Sequence, residues 1–204
     1  MRKDLRSASQ RERFDHLTAL LKSPRFLNRE GLGNEVPFFI CDFPPKEAND
    51  YADMVSQLIK HLQQADVKVL EVNLYDLALE LLEAEGDLQW ILDRETDLEK
   101  DKLLNDLRGM LDTERHLMPA IERKMQESGG FQILFLTGVG EVFPYIRSHN
   151  VLNNLQRIAK EQPTVMFFPG TYSHSLEKGA SLDLFGKLQD DKYYRAYNVF
   201  DREV

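Results

Sequence analysis

The sequence predicts an α/β protein whose mostly parallel sheet of about five strands is flanked by helices. Short apolar runs without polar alternation favour strands that are buried on both faces. Helical stretches separate these runs along the chain, which is the element order of a parallel sheet. A chain of 204 residues, of which 42% are apolar and 29% charged, can bury such a core.

Five segments have the composition of strands. They are residues 36–42, 67–72, 131–137, 164–168 and 193–200. The third is the clearest, because it is almost entirely apolar and is followed by the glycines of a sharp turn. Pro169-Gly170 is predicted to end the fourth. The fifth is rich in tyrosine and is predicted to be more exposed than the others.

Helices are predicted between these strands. Ser9 or Ser7 is expected to cap the first helix, and residues 46–65 place their apolar side chains on one helical stripe. Shorter helices follow near residues 74–82, 90–92 and 151–158. Residues 97–127 form a long charged helical stretch, which Pro119 is expected to kink or split.

Ligands of parallel sheets bind beyond the carboxyl ends of the strands. In this chain those ends are residues 42–45, Asn73, residues 137–141 and residues 169–172. A ligand or partner site is therefore expected where these four segments meet.

Charge is unevenly distributed along the chain, whose net charge is −8. Residues 1–34 carry eight Lys or Arg against four Asp or Glu, whereas residues 66–127 carry eight against seventeen. We predict a basic N-terminal helical arm over residues 1–34 and a single α/β domain over 35–204, with an acidic helical insertion at about 74–127. The acidic whole argues against bulk binding of duplex DNA.

The phosphate-binding loops of nucleotide enzymes are missing from this chain. Such a loop needs glycines and a lysine, but the first strand is followed by Asp42-Phe-Pro-Pro-Lys-Glu-Ala48, which contains no glycine. Gly138 and Gly140 lack the third glycine of a dinucleotide fingerprint, since Phe143 holds its place. The sheet is predicted to have a layout like that of the P-loop NTPases, without Walker motifs and without ATP hydrolysis.

Other catalytic or metal-binding signatures are also missing from the sequence. The five histidines have no metal-ligand spacing, and the single cysteine, Cys41, lies in an apolar strand where an inert buried thiol is expected. We therefore predict no catalytic residues, no metal site and no cofactor. A hydrolase centred on Glu141, His149 and His174 is a distant alternative.

The start of the chain, MRKDLRSASQRERF, is charged and lacks the apolar segment of a secretory signal. No apolar run is long enough to span a bilayer. These features predict a soluble cytoplasmic protein that does not enter a membrane.

Residues 137–149, Thr-Gly-Val-Gly-Glu-Val-Phe-Pro-Tyr-Ile-Arg-Ser-His, form the most unusual segment of the sequence. Glycines at a strand end allow the backbone to turn sharply, which could gather charged side chains at the sheet edge. A tight turn in which aromatic side chains pack over the core, and Glu141 pairs with Arg147, is the structural alternative.

Three segments together resemble the BrxB family of BREX (bacteriophage exclusion) systems. They are Phe135-Leu-Thr-Gly-Val-Gly-Glu-Val-Phe-Pro-Tyr-Ile-Arg-Ser-His-Asn-Val-Leu-Asn-Asn-Leu155, Pro163-Thr-Val-Met-Phe-Phe-Pro-Gly-Thr-Tyr172, and Leu182-Asp-Leu-Phe-Gly186 followed by Tyr193-Tyr-Arg-Ala-Tyr197. The resemblance covers most of the chain. It implies a role in phage defence beside a large ATPase (BrxC), a methyltransferase (PglX), an alkaline-phosphatase-like protein (PglZ) and a small BrxA protein, and it implies no catalytic residues.

We therefore predict a non-catalytic assembly component that binds another BREX protein, a PglZ-like protein first and a BrxC-like ATPase next. The sequence leaves open whether the chain forms a homodimer. The expected partner-binding residues are Gly138, Gly140, Glu141, Phe143, Tyr145, Arg147, His149 and Tyr172. The alternative is contact with nucleic acid through the basic residues Arg2, Lys3, Arg6, Arg11 and Arg13.

Overall fold

A computed structural model describes residues 5–31, 37–175, 179–185, 188–189 and 196–204. The strands are β1 (Phe38–Phe43), β2 (Val69–Asn73), β3 (Ile133–Thr137), β4 (Thr164–Ser175), β5 (Gly179–Leu184), β6 (Leu188–Gln189) and β7 (Tyr197–Asn198). The α-helices are α1 (Gln10–Leu21), α2 (Pro24–Leu27), α3 (Ala48–Gln64), α4 (Leu74–Glu85), α5 (Asp87–Arg94), α6 (Lys100–Met110), α7 (Met118–Glu127) and α8 (Ser148–Leu155). None of the described helices combines the length and apolar character that crossing a bilayer requires.

The central sheet has the strand order β2-β3-β4-β1-β7, and every neighbouring pair along this path is parallel. Two further strands lie off the path, where β5 pairs antiparallel with β4, and β6 with β5. The predicted α/β architecture with a mostly parallel sheet is thereby confirmed.

The fourth strand is longer than its sequence predicts, since β4 continues through Pro169-Gly170 to Ser175. Its first half pairs with β1 and β3, and its second half leaves the parallel sheet to pair with β5. The predicted end at Pro169 is therefore wrong. Pro169 has no amide hydrogen to donate to a neighbouring strand. Its carbonyl still accepts a hydrogen bond from the Phe185 amide at 3.0 Å.

Both faces of the sheet are covered, which explains the unbroken apolar runs of its strands. On one face Phe39 and Cys41 of β1 share a core cluster with Leu58 of α3. On the other face Phe38 and Ile40 belong to a second cluster, to which α4, α7 and α8 contribute. Successive residues of β1 thus enter opposite layers of a three-layer sandwich.

The first helix belongs to one of these layers. Ser9 forms the predicted cap, as its side chain accepts from the Glu12 amide and the Glu12 carboxylate accepts from the Ser9 amide. Leu17, Leu20 and Leu21 are buried in the same cluster as Phe39. The described residues on the amino-terminal side of position 34 therefore share a core with those beyond it, and the boundary proposed there stays a prediction.

The predicted acidic insertion corresponds to the helices between β2 and β3. Its long charged stretch is divided at Asp112, which caps a π-helical turn (Thr113–Leu117) by accepting from the amides of Glu114 and Arg115. Pro119 lies beyond this break, where the π-helical turn continues into α7, so the predicted split is present but falls at Asp112.

The last strand is shorter and more buried than expected. Only Tyr197 and Asn198 of the described residues form β7, beside β1. Asn198 is 3% exposed, and Val199 and Phe200 behind it are buried too. Asn198 does not fit the prediction of a more exposed strand, whereas Tyr197 is half-buried; residues 191–195 lie outside the described part of the chain.

Candidate functional site

A groove of about 420 Å³ lies at the carboxyl ends of the parallel strands, beside the start of α3. This is the edge at which α/β sheets bind ligands, and the volume is in the range of small-molecule and side-chain sites. All four segments predicted to meet at this edge contribute to it. The groove is lined by Phe43, Pro45, Ala48, Tyr51, Ala52, Val55, Ser56, Glu71, Asn73, Thr137, Gly138, Val139, Gly140, Glu141, Phe167, Pro169 and Phe185.

The polar wall of the groove comes from β2, β3 and the turn after β3. The Thr137 hydroxyl donates to the Glu71 carboxylate at 2.8 Å and so fixes one of its oxygens. Gly138 has a φ of 69° and passes so close to the Asn73 side chain that a Cβ there would collide with its Oδ1. Glycine is therefore required at 138 both by the backbone conformation and by this approach.

The turn after β3 is held by two buried anchors. Val142 and Ile146 are 1% and 2% exposed in the core, and the Ile146 amide donates to the Val142 carbonyl at 3.0 Å. Between and before them Glu141 is exposed, while Phe143 and Tyr145 are half-buried. The rings of Phe143 and Tyr145 pack against the same core cluster and leave only part of their surface to solvent.

The opposite wall is aromatic. Phe43 and Tyr51 stack with their ring centroids 4.1 Å apart, and Phe167 lies beside them in the groove lining. Phe185, 39% exposed, closes the far side and makes an edge contact with Phe143 at 6.1 Å. Large, rigid aromatic surfaces next to polar groups are characteristic of residues that dominate binding energies.

The backbone at this edge is unsuited to holding a phosphate. β1 runs into Pro44-Pro45, two residues that have no amide to donate. The amides of Tyr75 and Asp76 at the start of α4 are already occupied by the Asn73 side chain, at 2.9 and 3.3 Å. No Lys, Arg or His is among the described groove-lining residues. An anionic phosphate would therefore meet carboxylates and capped amides.

The predicted partner-binding residues do not all lie together. Gly138, Gly140 and Glu141 line the groove, whereas Phe143 and Tyr145 lie on the adjoining turn. Arg147 is exposed and His149 half-buried at the start of α8. Tyr172 is 5% exposed; its amide donates to Asp42 at 2.9 Å and its hydroxyl to the Ala196 carbonyl at 2.6 Å. Tyr172 is thus an interior residue of this chain.

The arginines of the amino-terminal segment have intramolecular partners. Arg6 binds the Asp201 carboxylate through two hydrogen bonds of 3.0 and 2.9 Å, and its Nε lies 3.7 Å from Asp42. Arg13 is 5% exposed and donates to Glu47 at 2.8 Å. The side chain of Arg11 is 92% exposed. Arg2 and Lys3 lie outside the described residues, and the nucleic-acid alternative stays a prediction.

The described residues show no cluster of His, Cys, Asp and Glu that could hold a metal. Burial raises the pKa of the Cys41 thiol well above its usual value, which keeps this buried cysteine protonated and unreactive. The side chain of His174, named in the hydrolase alternative, lies outside what the structure describes.

Comparison with known proteins agrees with the resemblance in the sequence. The family model described as "BREX protein BrxB" matches residues 70–199. A BREX protein BrxB of Bacillus cereus (strain H3081.97) is 38% identical over 196 residues, which cover 94% of this chain and 97% of the relative. A BREX protein BrxB of Escherichia coli O9:H4 (strain HS) is 27% identical over 187 residues, 92% and 90% of the two chains.

The chain belongs to the BrxB family. The expected membership is confirmed, and the protein is a BREX component, which supports a role in phage defence. No solved structure matches, so the P-loop-like layout of this BrxB sheet stays a prediction.

Sequence reasoning missed the part of the groove that α3 supplies in this BrxB-family chain, and it also missed Phe167, Glu71 and Phe185. Glu71 is a single acid within the otherwise apolar β2, a signal that could have singled it out. Phe185 enters the groove because β5 folds back along β4, and no local pattern revealed that pairing.

Proposed function

We propose that the protein is a non-catalytic assembly component of a BREX complex, and that it docks another BREX protein at the carboxyl edge of its sheet. A PglZ-like protein is the first expected partner and a BrxC-like ATPase the second. The observation that carries the proposal is the character of the groove: it has aromatic walls and carboxylates where a nucleotide enzyme would need glycines and a lysine.

The surface around the groove supports docking rather than chemistry. Phe143, Tyr145 and Phe185 border it with partly exposed aromatic rings, and Tyr75 adds another at 38% exposure. Such rings supply much of the binding energy of protein interfaces. The turn that carries two of them is fixed by Val142 and Ile146, so little order has to be gained on binding.

The acidic helices between β2 and β3 support the same reading. The net charge of residues 66–127 is −9, and a field of this sign accelerates the encounter with a basic partner and fixes its orientation. A partner that contacts the groove would approach beside this surface, since α4 begins directly after Asn73.

Affinity purification from cells that express the complete BREX system tests the proposal. The tagged chain should retain a PglZ-like or BrxC-like subunit at moderate salt, identified by mass. A Phe143→Ala, Phe185→Ala variant should lose most of this capture, whereas Leu92→Ala should not, since Leu92 is a 58% exposed apolar side chain away from the groove lining. Recovery of no BREX subunit by the unaltered chain would refute the proposal.

Catalysis can be tested separately. The purified chain alone is expected to turn over no ATP with magnesium. Measured ATP hydrolysis that follows the monomeric chain through purification would contradict a non-catalytic role.

A further inference from the structure

We propose that the groove receives a basic side chain, an arginine or a lysine, which the partner protein inserts between Glu71 and Glu141 and the aromatic wall. The inference rests on the proposed function and adds to it the chemistry of the docked feature. It follows from the charges, the hydrogen bonds and the shape of the groove.

The two carboxylates of the lining are available for a cation. Glu71 accepts a hydrogen bond from the Thr137 hydroxyl at 2.8 Å, and neither Glu71 nor Glu141 forms an ion pair with another described residue. The lining contains no described basic side chain to neutralise them. A cation that enters the cavity beside both carboxylates is attracted by each of them.

Nearby acids of α4 behave differently. Glu80 lies 2.8 Å from the Lys124 ammonium and so already has its cation within the chain. Lys124 also lines a neighbouring cavity with Glu71, but its ion pair is with Glu80, and neither acid of the groove forms an ion pair with a described residue. This contrast favours an intermolecular role for Glu71 and Glu141.

The shape of the groove suits a long side chain with a charged end. Its volume of about 420 Å³ is many times the volume that one water molecule needs. The groove extends to the stacked pair Phe43 and Tyr51. Tyr51 already lies beside the Arg13 guanidinium, so the 39% exposed ring of Phe185 is the aromatic surface open to a further cation, and the alkyl stem of an arginine or lysine packs well on apolar surface. Phe185 and Pro169 supply that surface at the opening.

Phosphate, carboxylate and other anions do not fit the same site. They would meet two acids, the prolines after β1 and the capped amides of α4. A protein rather than a free small cation is the occupant we propose, because the half-buried rings of Phe143 and Tyr145 on the adjoining turn leave partly exposed apolar surface that only a larger partner could cover.

The test compares three tagged chains in cells that express the complete BREX system. They are the unaltered chain, a Glu71→Gln, Glu141→Gln double variant, and a Glu83→Gln, Glu85→Gln control. Gln at position 71 still offers an oxygen to the Thr137 hydroxyl, and the control removes the same charge from exposed acids of α4 outside the lining. Equal melting temperatures establish that all three fold.

The groove variant should capture the BREX subunit about tenfold less than the unaltered chain, since loss of a desolvated charge pair affects mainly the dissociation rate. The control should stay within about twofold, because rim charges contribute little affinity. Raising the salt from about 0.1 M to 1 M should reduce capture of the subunit by the unaltered chain more than capture by the groove variant, because the variant already lacks the ion pair.

Equal capture by the groove variant and the control would overturn the inference and leave the proposed function standing. Spermidine is a free polycation that competes for the groove. If it releases the captured subunit from the control but not from the groove variant, the occupant of the groove is cationic. Failure of the unaltered chain to capture any BREX subunit would refute the proposed function, and the inference with it.

Discussion

Charged side chains lie beside aromatic rings both in the amino-terminal helix and in the groove, and the two regions even share Tyr51. In the helix, the Arg13 guanidinium lies 5.4 Å from the Tyr51 ring centroid and 2.8 Å from the Glu47 carboxylate. In the groove, Glu71 and Glu141 line the same cavity as Tyr51, and neither forms an ion pair with a described residue. Charge that is paired within the chain stabilises the fold, whereas charge left at a cavity is available to a partner.

The largest change in stability is expected from breaking the ion pair between Arg13 and Glu47. Arg13→Ala should lower the free energy of unfolding by about 3 kcal/mol, because it leaves the largely buried Glu47 carboxylate without its cation and removes the contact with Tyr51. Urea titration followed by circular dichroism measures the change.

Arg11→Ala is the matched control two residues away. Its side chain is 92% exposed and lies 4.0 Å from Asp15, a surface pair for which about 0.5 kcal/mol or less is expected. Similar losses for the two variants would contradict the assignment of Arg13 to the core.

A second test concerns the carboxylate at the end of β1. Asp42 is 6% exposed and accepts from the Tyr172 amide at 2.9 Å and from the Asn198 side chain at 2.6 Å. Asp42→Asn should cost about 2 kcal/mol, because one acceptor becomes an amide that faces a donor. Asp201→Asn, at a position where the side chain is 61% exposed, should cost less than about 1 kcal/mol.

Removal of the Tyr172 hydroxyl is expected to have a third, smaller effect on stability, and this effect should depend on pH. Burial raises the pKa of Tyr172 to about 12. A raised pKa means that its stabilisation is complete below the unfolded value of 10 and is lost as the pH rises through 12.

Tyr172→Phe should therefore cost about 1 kcal/mol near neutral pH, from the lost hydrogen bond. Its deficit relative to the unaltered chain should shrink as the pH rises above 10, which denaturant titrations over this range can follow. A deficit that is constant with pH would show that the phenol does not titrate with unfolding.

The sequence predicted the layers of the fold and the edge that carries the groove, because both depend on local signals. The unbroken apolar run of β1 is visible in the chain, and parallel strands bring their carboxyl ends together whatever their order. The continuation of β4 past Pro169 was not visible, since it depends on pairing with β5.

The sequence also did not predict which of the charged side chains are buried. Arg11 and Arg13 are indistinguishable by composition, yet the second is buried because α1 packs against α3 and the turn before it. Tyr172 looked like a candidate contact residue, and the same fold buries it. Burial of a polar side chain depends on contacts distant in the chain, which no spacing rule encodes.

The smallest effect is expected where the charge has no partner. Glu71→Gln and Glu141→Gln should change the free energy of unfolding by no more than about 0.5 kcal/mol, because both acids are exposed and form no ion pair with the described residues. Urea titration in low salt, where screening is weakest, is the sensitive measurement. A loss as large as that of Arg13→Ala would mean that the groove carboxylates hold the fold together, and the distinction between charge kept for the fold and charge offered to a partner would fail.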